Sequence, residues 1–151
     1  MAGSEALVFR VSLGPETFRD IEIADDVTLY QLAAAIVAAY DFDFDHAFGF
    51  YSKLTGNFLK SPRQYELFAD MGEADAGVEG VERTPATEAF ARVGSKMLFL
   101  FDYGDEWLFQ VKLLKRAPRK SKLRQPRLLL SMGEAPVQYP SYDDDEDDEE
   151  A

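Results

Sequence analysis

Alternating apolar and polar residues open the chain and predict a β-hairpin. Four apolar residues at every second position put their side chains on one face of a strand: Leu7, Phe9, Val11 and Leu13. Gly14-Pro15 interrupts this pattern, and a second strand follows from Phe18 to Ile23, with Ile21 and Ile23 on one face. We therefore expect two antiparallel strands joined by a short loop.

A helical period replaces the alternation after residue 27. Thr28-Leu29-Tyr30-Gln31 matches a capping box, in which the threonine hydroxyl and the glutamine side chain each satisfy a backbone N–H of the first turn. Leu29, Leu32 and Ile36 then recur at helical spacing among alanines, which favour the helix and allow close packing on a sheet. This pattern predicts the main helix, from Thr28 to about Tyr40.

The rest of the chain predicts further strands with one short helix between them. Phe48 to Tyr51 forms a third strand that ends near Thr55-Gly56-Asn57, and the glycine-rich, acidic segment Met71 to Thr84 is interpreted as a mobile surface loop. Thr84-Pro85 caps and opens a short helix through Phe90, stopped by Gly94.

A second hairpin comes next, with strands from Met97 to Phe101 and from Trp107 to Leu114 joined at Tyr103-Gly104-Asp105. We expect these strands in the middle of the sheet, and Leu128 to Leu130 as a last strand. The predicted fold class is α+β, a mixed β-sheet with a hairpin-helix opening and one main helix packed on it.

Charge divides the chain into a nearly balanced body and an acidic end. The net charge is −12, but Asp143 to Glu150 are eight consecutive acids, and the remaining chain holds 20 acidic and 16 basic residues. We expect a single domain over residues 6–140 and a disordered acidic tail over residues 141–151.

Cysteine is absent, which excludes disulfides, thiolate metal sites and a cysteine nucleophile. Met1 to Glu5 has no signal-peptide character, and the longest apolar stretch, Leu32 to Tyr40, is too short to cross a bilayer. These features predict a cytoplasmic protein with no membrane partner.

Two groups of residues are candidates for a ligand site. Asp102, Asp105 and Glu106 cluster with Trp107, and carboxylates so placed act as acid and base or hold a divalent cation. The alternative interpretation is structural: Asp102 accepts backbone N–H bonds of a tight turn and Gly104 supplies a positive φ. His46 is the only histidine, and a lone histidine is more often simply hydrogen-bonded than a metal ligand.

Basic residues concentrate in one stretch that contains no acid, between Trp107 and Gly133. Such a stretch suits a polyanion such as nucleic acid, although the interleaved aromatic residues that would stack on bases are missing. A solvated basic loop is the alternative, and so is an acidic tail that folds back onto it. The stretch holds eight of the sixteen basic residues: Lys112, Lys115, Arg116, Arg119, Lys120, Lys122, Arg124 and Arg127.

Taken as a set, these motifs resemble the plasmid pRiA4b ORF-3-like family. The resemblance rests on Thr28-Leu29 with Leu32 and Ala35-Ile36, on Asp45-His46 with Phe48, on Phe101 to Trp107, and on Pro126 with Gly133 to Pro136. It implies an α+β domain found in uncharacterised prokaryotic proteins, some tied to plasmids or insertion elements, and it implies no activity.

This chain departs from the family's pattern in two segments. Many relatives carry a cysteine and a Pro-Pro-Glu-Asp segment near the C-terminus, where this chain has Ala135 to Pro140. The histidine segment of relatives often holds a second histidine, and this chain has only His46.

The sequence shows no established catalytic motif, so the leading hypothesis is a non-enzymatic binding or accessory module whose partner is another protein. We expect this module to be associated with mobile elements, as the family resemblance implies. One alternative is binding of nucleic acid or another polyanion through residues 112–127, gated by the acidic tail. The other is a metal-dependent enzyme built around His46, Asp102 and Asp105. We expect no bound metal and no cofactor, and the oligomeric state stays open.

Overall fold

The structure is a computed structural model that describes residues 5–118, 123 and 125–139. The acidic tail and the middle of the basic stretch, which includes Arg119, Lys120, Lys122 and Arg124, lie outside the described residues. The strands are β1 (Glu5–Ser12), β2 (Phe18–Ala24), β3 (Phe48–Tyr51), β4 (Gln64–Glu66), β5 (Glu79–Gly80), β6 (Lys96–Phe101), β7 (Trp107–Pro118) and β8 (Arg127–Met132). The α-helices are α1 (Leu29–Ala39), α2 (Leu67–Asp70) and α3 (Ala86–Ala89), and Phe58–Lys60 forms one 3₁₀ turn.

All eight strands belong to one sheet, in the order β5-β4-β3-β6-β7-β1-β2-β8. Every neighbouring pair is antiparallel except β4 and β5, which run parallel, so the sheet is mixed. Both predicted hairpins are present, and the β6–β7 hairpin lies in the middle of the sheet, as the sequence predicts. The α+β fold class is therefore confirmed.

Helix α1 begins where the sequence predicts it. The Gln31 backbone N–H donates to Thr28 Oγ1 at 3.2 Å, and the Thr28 N–H donates to Gln31 Oε1 at 2.9 Å, which completes the capping box. At the other end of the helix the Tyr40 hydroxyl donates to the Val11 carbonyl of β1 at 2.8 Å. Both ends of α1 are therefore fixed, the second of them directly to the sheet.

One face of the sheet, together with α1, forms the main hydrophobic core. Leu32 and Ile36 of α1 are fully buried with Phe9 of β1 and with Phe99 and Phe109 of the central hairpin. The opposite face carries a smaller cluster centred on Tyr51, Leu98 and Leu100. Among the described residues every helix is too short or too polar to cross a bilayer.

The segment from Met71 to Thr84 differs from the predicted mobile loop in its second half. The Asp70 carboxylate accepts hydrogen bonds from the backbone N–H of Val81 at 2.8 Å and of Glu82 at 3.2 Å, and Val81 is fully buried. This anchor draws residues 79–80 into strand β5. The sequence pattern did not predict β5, because the carboxylate that orders this segment lies eleven residues before Val81.

The opening of α3 also differs from its prediction in detail. Pro85 is the N-cap residue and makes no side-chain capping bond. The Thr84 hydroxyl donates to the Gly80 carbonyl at 2.5 Å, so it ties α3 to β5. The helix itself ends at Ala89, close to the predicted end.

Candidate functional site

The turn between β6 and β7 is built around Asp102. Its Oδ1 accepts hydrogen bonds from the backbone N–H of Gly104 at 3.0 Å and of Asp105 at 3.2 Å, as the structural interpretation predicts. The positive φ angles fall on Asp102 (70°) and Glu106 (55°), and not on Gly104 as we expected. Aspartate tolerates this backbone region because its short side chain bonds locally.

The other members of the predicted cluster do not join Asp102 in a site. Asp105 and Glu106 are exposed to solvent on the turn. Trp107 is half-buried and packs edge-on against Phe42, with ring centroids 4.9 Å apart. Its buried Nε1 has no hydrogen-bond partner among the described residues. Trp107 therefore serves as part of the core.

His46 does meet Asp102, as the enzyme hypothesis requires. His46 Nε2 lies 3.4 Å from Asp102 Oδ2 and 3.7 Å from Asp45 Oδ1, and it forms a 2.6 Å hydrogen bond with the Tyr139 hydroxyl. That hydroxyl donates its single proton to Asp45 Oδ2 at 2.9 Å. Because the proton is used there, His46 Nε2–H is the donor to Tyr139.

Gln138 holds this group together. Its Oε1 accepts from the Asp43 backbone N–H at 2.6 Å, while its Nε2 donates to the Asp43 carbonyl at 3.1 Å and to Asp45 Oδ1 at 3.3 Å. Gln138 is buried although it is polar. We call Gln138 and Tyr139, bound to Asp43, Asp45 and His46, the C-terminal clasp. The clasp joins the two segments in which this chain departs from the family's pattern.

Hydrogen bonds engage the polar side chains of the clasp. Partial burial, followed by the hydrogen bond to Asp45, raises the pKa of Tyr139 to about 12, so this phenol stays protonated at neutral pH. Asp102 Oδ1 is already bonded to its own turn, and the ion pairs of His46 among the described residues are with Asp45 and Asp102. Over the described part of the chain, no three histidine, aspartate or glutamate side chains form a group suited to a metal ion. The metal-dependent enzyme built around His46, Asp102 and Asp105 stays a hypothesis.

The described members of the basic stretch lie on strands and not on a loop. Strand β7 extends to Pro118, beyond its predicted end, because it pairs with the whole length of β1, and it carries Lys112, Lys115 and Arg116. Arg116 pairs with Glu5 at 3.1 Å, and Arg127, at the start of β8, lies 3.8 Å from Glu22. Ion pairs thus partly neutralise two of these cations. Polyanion binding through the complete stretch stays a prediction.

Strand β8 presents a surface that the sequence analysis missed. All six of its residues are exposed although four are apolar: Leu128 (53%), Leu129 (42%), Leu130 (48%) and Met132 (51%). It is an edge strand, paired with β2 alone among the described strands. A triple leucine predicts a strand but not its place at the edge.

An open cleft of about 470 Å³ lies beside β8, where β8 and β2 meet the second half of α1. Its walls include Arg19 of β2, Ala35 and Ala38 of α1, and Leu128 and Ser131 of β8. The sequence carried no signal for it, since its walls come from three separate segments.

The mixed sheet with its single long helix defines a class of α+β domain whose fold is also seen in a solved structure. The chain is similar to a protein of unknown function, MM3350 from Methanosarcina mazei Go1, with a TM-score of 0.69 and 18% identity over 89% of this chain and 73% of that one. At that identity the likeness shows the fold alone.

A family model covers most of the chain. The family model for plasmid pRiA4b ORF-3-like proteins matches residues 5–138, and the chain belongs to that family. A comparison with curated protein sequences gave no match.

Proposed function

We propose that this protein is a non-enzymatic binding module that holds a partner protein by adding a strand of the partner to the free edge of β8. One observation carries the proposal: every residue of β8 is exposed, although Leu128, Leu129, Leu130 and Met132 are apolar. A free edge offers backbone N–H and C=O groups to an extended peptide, and its side chains provide the specificity.

The lack of edge protection supports this proposal. Soluble proteins blunt edge strands with lysine, proline or inward charges, because an unprotected edge pairs with other chains. Strand β8 contains neither lysine nor proline, and its one charge, Arg127, stands at its first residue beside Glu22. The opposite edge of the sheet, β5, has only two residues and offers little to a partner.

The state of the polar candidates supports the non-enzymatic part. The Asp102 carboxylate serves its own turn, and His46 Nε2 donates to a tyrosine that is itself bonded to Asp45. Asp102 Oδ1 and His46 Nε2 are thus engaged in these hydrogen bonds, and none of the bonds activates a nucleophile. Location in the cytoplasm and association with mobile elements remain predictions from the sequence.

Peptide display tests strand addition without knowledge of the natural partner. We would select random twelve-residue peptides on the intact protein and measure the affinity of the best sequences by fluorescence polarisation. The test variant combines Leu129→Lys with Met132→Lys, and the matched control combines Met71→Lys with Val93→Lys, two exposed apolar residues (55% each) away from β8.

We expect selected peptides with alternating apolar residues and at least about tenfold weaker binding by the β8 variant, since two charges then face the added strand. The control should bind like the unmodified chain. Equal affinity of both variants would contradict the proposal. Self-association that is lost only in the β8 variant would instead identify a second copy of the chain as the occupant.

A further inference from the structure

The cleft beside β8 contains a buried cation. Arg19, on β2, is only 6% exposed, yet it lines the cleft. The guanidinium lies over the Tyr40 ring, 4.8 Å from its centroid. Burial of a charge is costly unless hydrogen bonds compensate for it, so the partners of this side chain decide what the site can do.

Three backbone carbonyls hold the guanidinium in place. Nε donates to the Ala39 carbonyl at 3.3 Å, and Nη1 donates to the carbonyls of Phe18 and Met132, both at 2.9 Å. These bonds fix the side chain to α1, β2 and β8 together. Among the described residues, Nη2 has no hydrogen-bond acceptor, and no carboxylate forms an ion pair with Arg19. Within the described part of the chain, the charge is therefore held by carbonyl dipoles.

With respect to the residues that the structure describes, Nη2 keeps two unused N–H donors, and an anion such as a carboxylate accepts charge-assisted hydrogen bonds of this kind. The other charged residues of the wall are Asp41 and Arg127, of which Arg127 lies 3.8 Å from Glu22. The rest of the wall combines apolar residues, among them three alanines of α1 and Leu128 of β8, with the polar Gln125 and Ser131. The volume, about 470 Å³, falls in the range of small-ligand sites.

We propose that this cleft binds a carboxylate group carried on a short apolar chain, with Arg19 as the anchor of the carboxylate. The alanine wall receives the apolar part, and Ser131 at the β8 side supplies a hydroxyl. The proposal does not depend on strand addition, because neither Leu129 nor Met132 lines the cleft.

A titration followed by two-dimensional ¹H–¹⁵N NMR tests the site with defined probes. The probe is 3-methylbutanoate, and its uncharged counterpart is 3-methylbutanamide. We expect the carboxylate to shift the backbone signals of Ala35, Ala38 and Ser131, and the amide to bind at least about tenfold more weakly, because it lacks the charge-assisted hydrogen bonds. Equal binding of the two probes, or no shift at these residues, would overturn the proposal.

Variants at exposed cleft residues test the same site without loss of the fold. Ala38→Phe should fill the cleft, and Ser131→Asp should repel the carboxylate, each weakening binding about tenfold or more. Asp41→Asn removes the only acid of the wall and keeps a residue that tolerates the φ of 59°, so binding should tighten about two- to fivefold. Asp43→Asn, outside the cleft, is the matched charge control and should bind like the unmodified chain.

The source of the carboxylate is distinguished by a second pair of probes. N-acetyl-glycyl-valine is compared with its C-terminal amide, which lacks the carboxylate. Tighter binding of this peptide acid than of 3-methylbutanoate would identify a peptide terminus as the natural ligand. Tighter binding of 3-methylbutanoate would identify a free acid, and either result supports a carboxylate site. Unchanged binding of both acids by Ala38→Phe would place them elsewhere and overturn the proposal.

Discussion

Replacing Gln138 with alanine removes the side chain that joins the C-terminal segment to the loop after α1. Three hydrogen bonds are lost: two to the backbone of Asp43, at 2.6 and 3.1 Å, and one to Asp45 Oδ1 at 3.3 Å. The substitution leaves the backbone of Asp43 in place, so the measured change reports on the clasp itself.

The magnitude follows from the environment of the partners. A protein hydrogen bond contributes roughly 0.5–1.5 kcal/mol net, and more is lost when a buried partner is left without one. Gln138 is buried, but Asp43 is exposed and water can replace the lost bonds. We therefore expect the free energy of unfolding to fall by about 1–3 kcal/mol. In a chain of this size each kcal/mol lowers Tm by about 2–4 °C.

Urea unfolding, followed by fluorescence, measures this change. Trp107 is the only tryptophan and packs against Phe42, one residue from the clasp, so it reports the relevant region. Hydrogen exchange at the Asp43 amide gives a local measurement, because its N–H donates to Gln138. We expect faster exchange there in Gln138→Ala.

Two further variants separate hydrogen bonding from packing. Gln138→Met keeps the bulk of the side chain without its polar atoms and should lose most of the same stability. Gln110→Ala, at an exposed position of β7, should have almost no effect. The reasoning is refuted if Gln138→Ala unfolds within about 0.5 kcal/mol of the unmodified chain and the Asp43 amide stays protected.

Two other predictions concern the helix. Thr28→Ala removes the side-chain cap of α1 and should destabilise the protein by about 1 kcal/mol. Thr55 is exposed and caps no helix, so the control Thr55→Ala should have no such effect. Equal urea midpoints for the two variants would argue against the cap. Burial raises the pKa of Tyr40 to about 12, although the charge of Arg19 acts in the opposite direction. Because the pKa is about 10 in the unfolded chain, the protonated phenol favours the folded state. That contribution is complete below pH 10 and is lost between about pH 10 and 12. Over that range the free energy of unfolding should fall less steeply with pH in Tyr40→Phe than in the unmodified chain. Identical pH slopes of the two proteins would exclude Tyr40 as a cause.

The helix and the hairpins could be predicted because their signals are local. The capping box of Thr28 and Gln31 involves neighbours three residues apart, and the alternation in β1 and β2 sets which face is buried, as the pairing of Phe9 with Ile21 confirms. The same holds for the turn after β6, where Asp102 binds the N–H groups two and three residues further on.

The clasp could not be predicted, because its partners are more than ninety residues apart. His46 and Asp102 were both candidates, and the structure does bring them together, but nothing in the sequence near Gln138 and Tyr139 indicated that these residues complete the group. A hydrogen bond between distant segments depends on how the sheet is threaded, and residue type alone carries little information about it.

Sequence by itself determined the two hairpins and helix α1, since each depends on a hydrophobic period and on caps or turns within a few residues. It did not determine β4, α2 or β5. Only the tertiary structure decided which strand lies at the edge and what meets beside it. The three leucines of β8 would be core residues if β8 were a central strand. Arg19 would be a surface charge if β2 were an exposed strand. The order of strands left the leucines in solvent and buried the arginine against α1, because pairing between distant segments sets exposure.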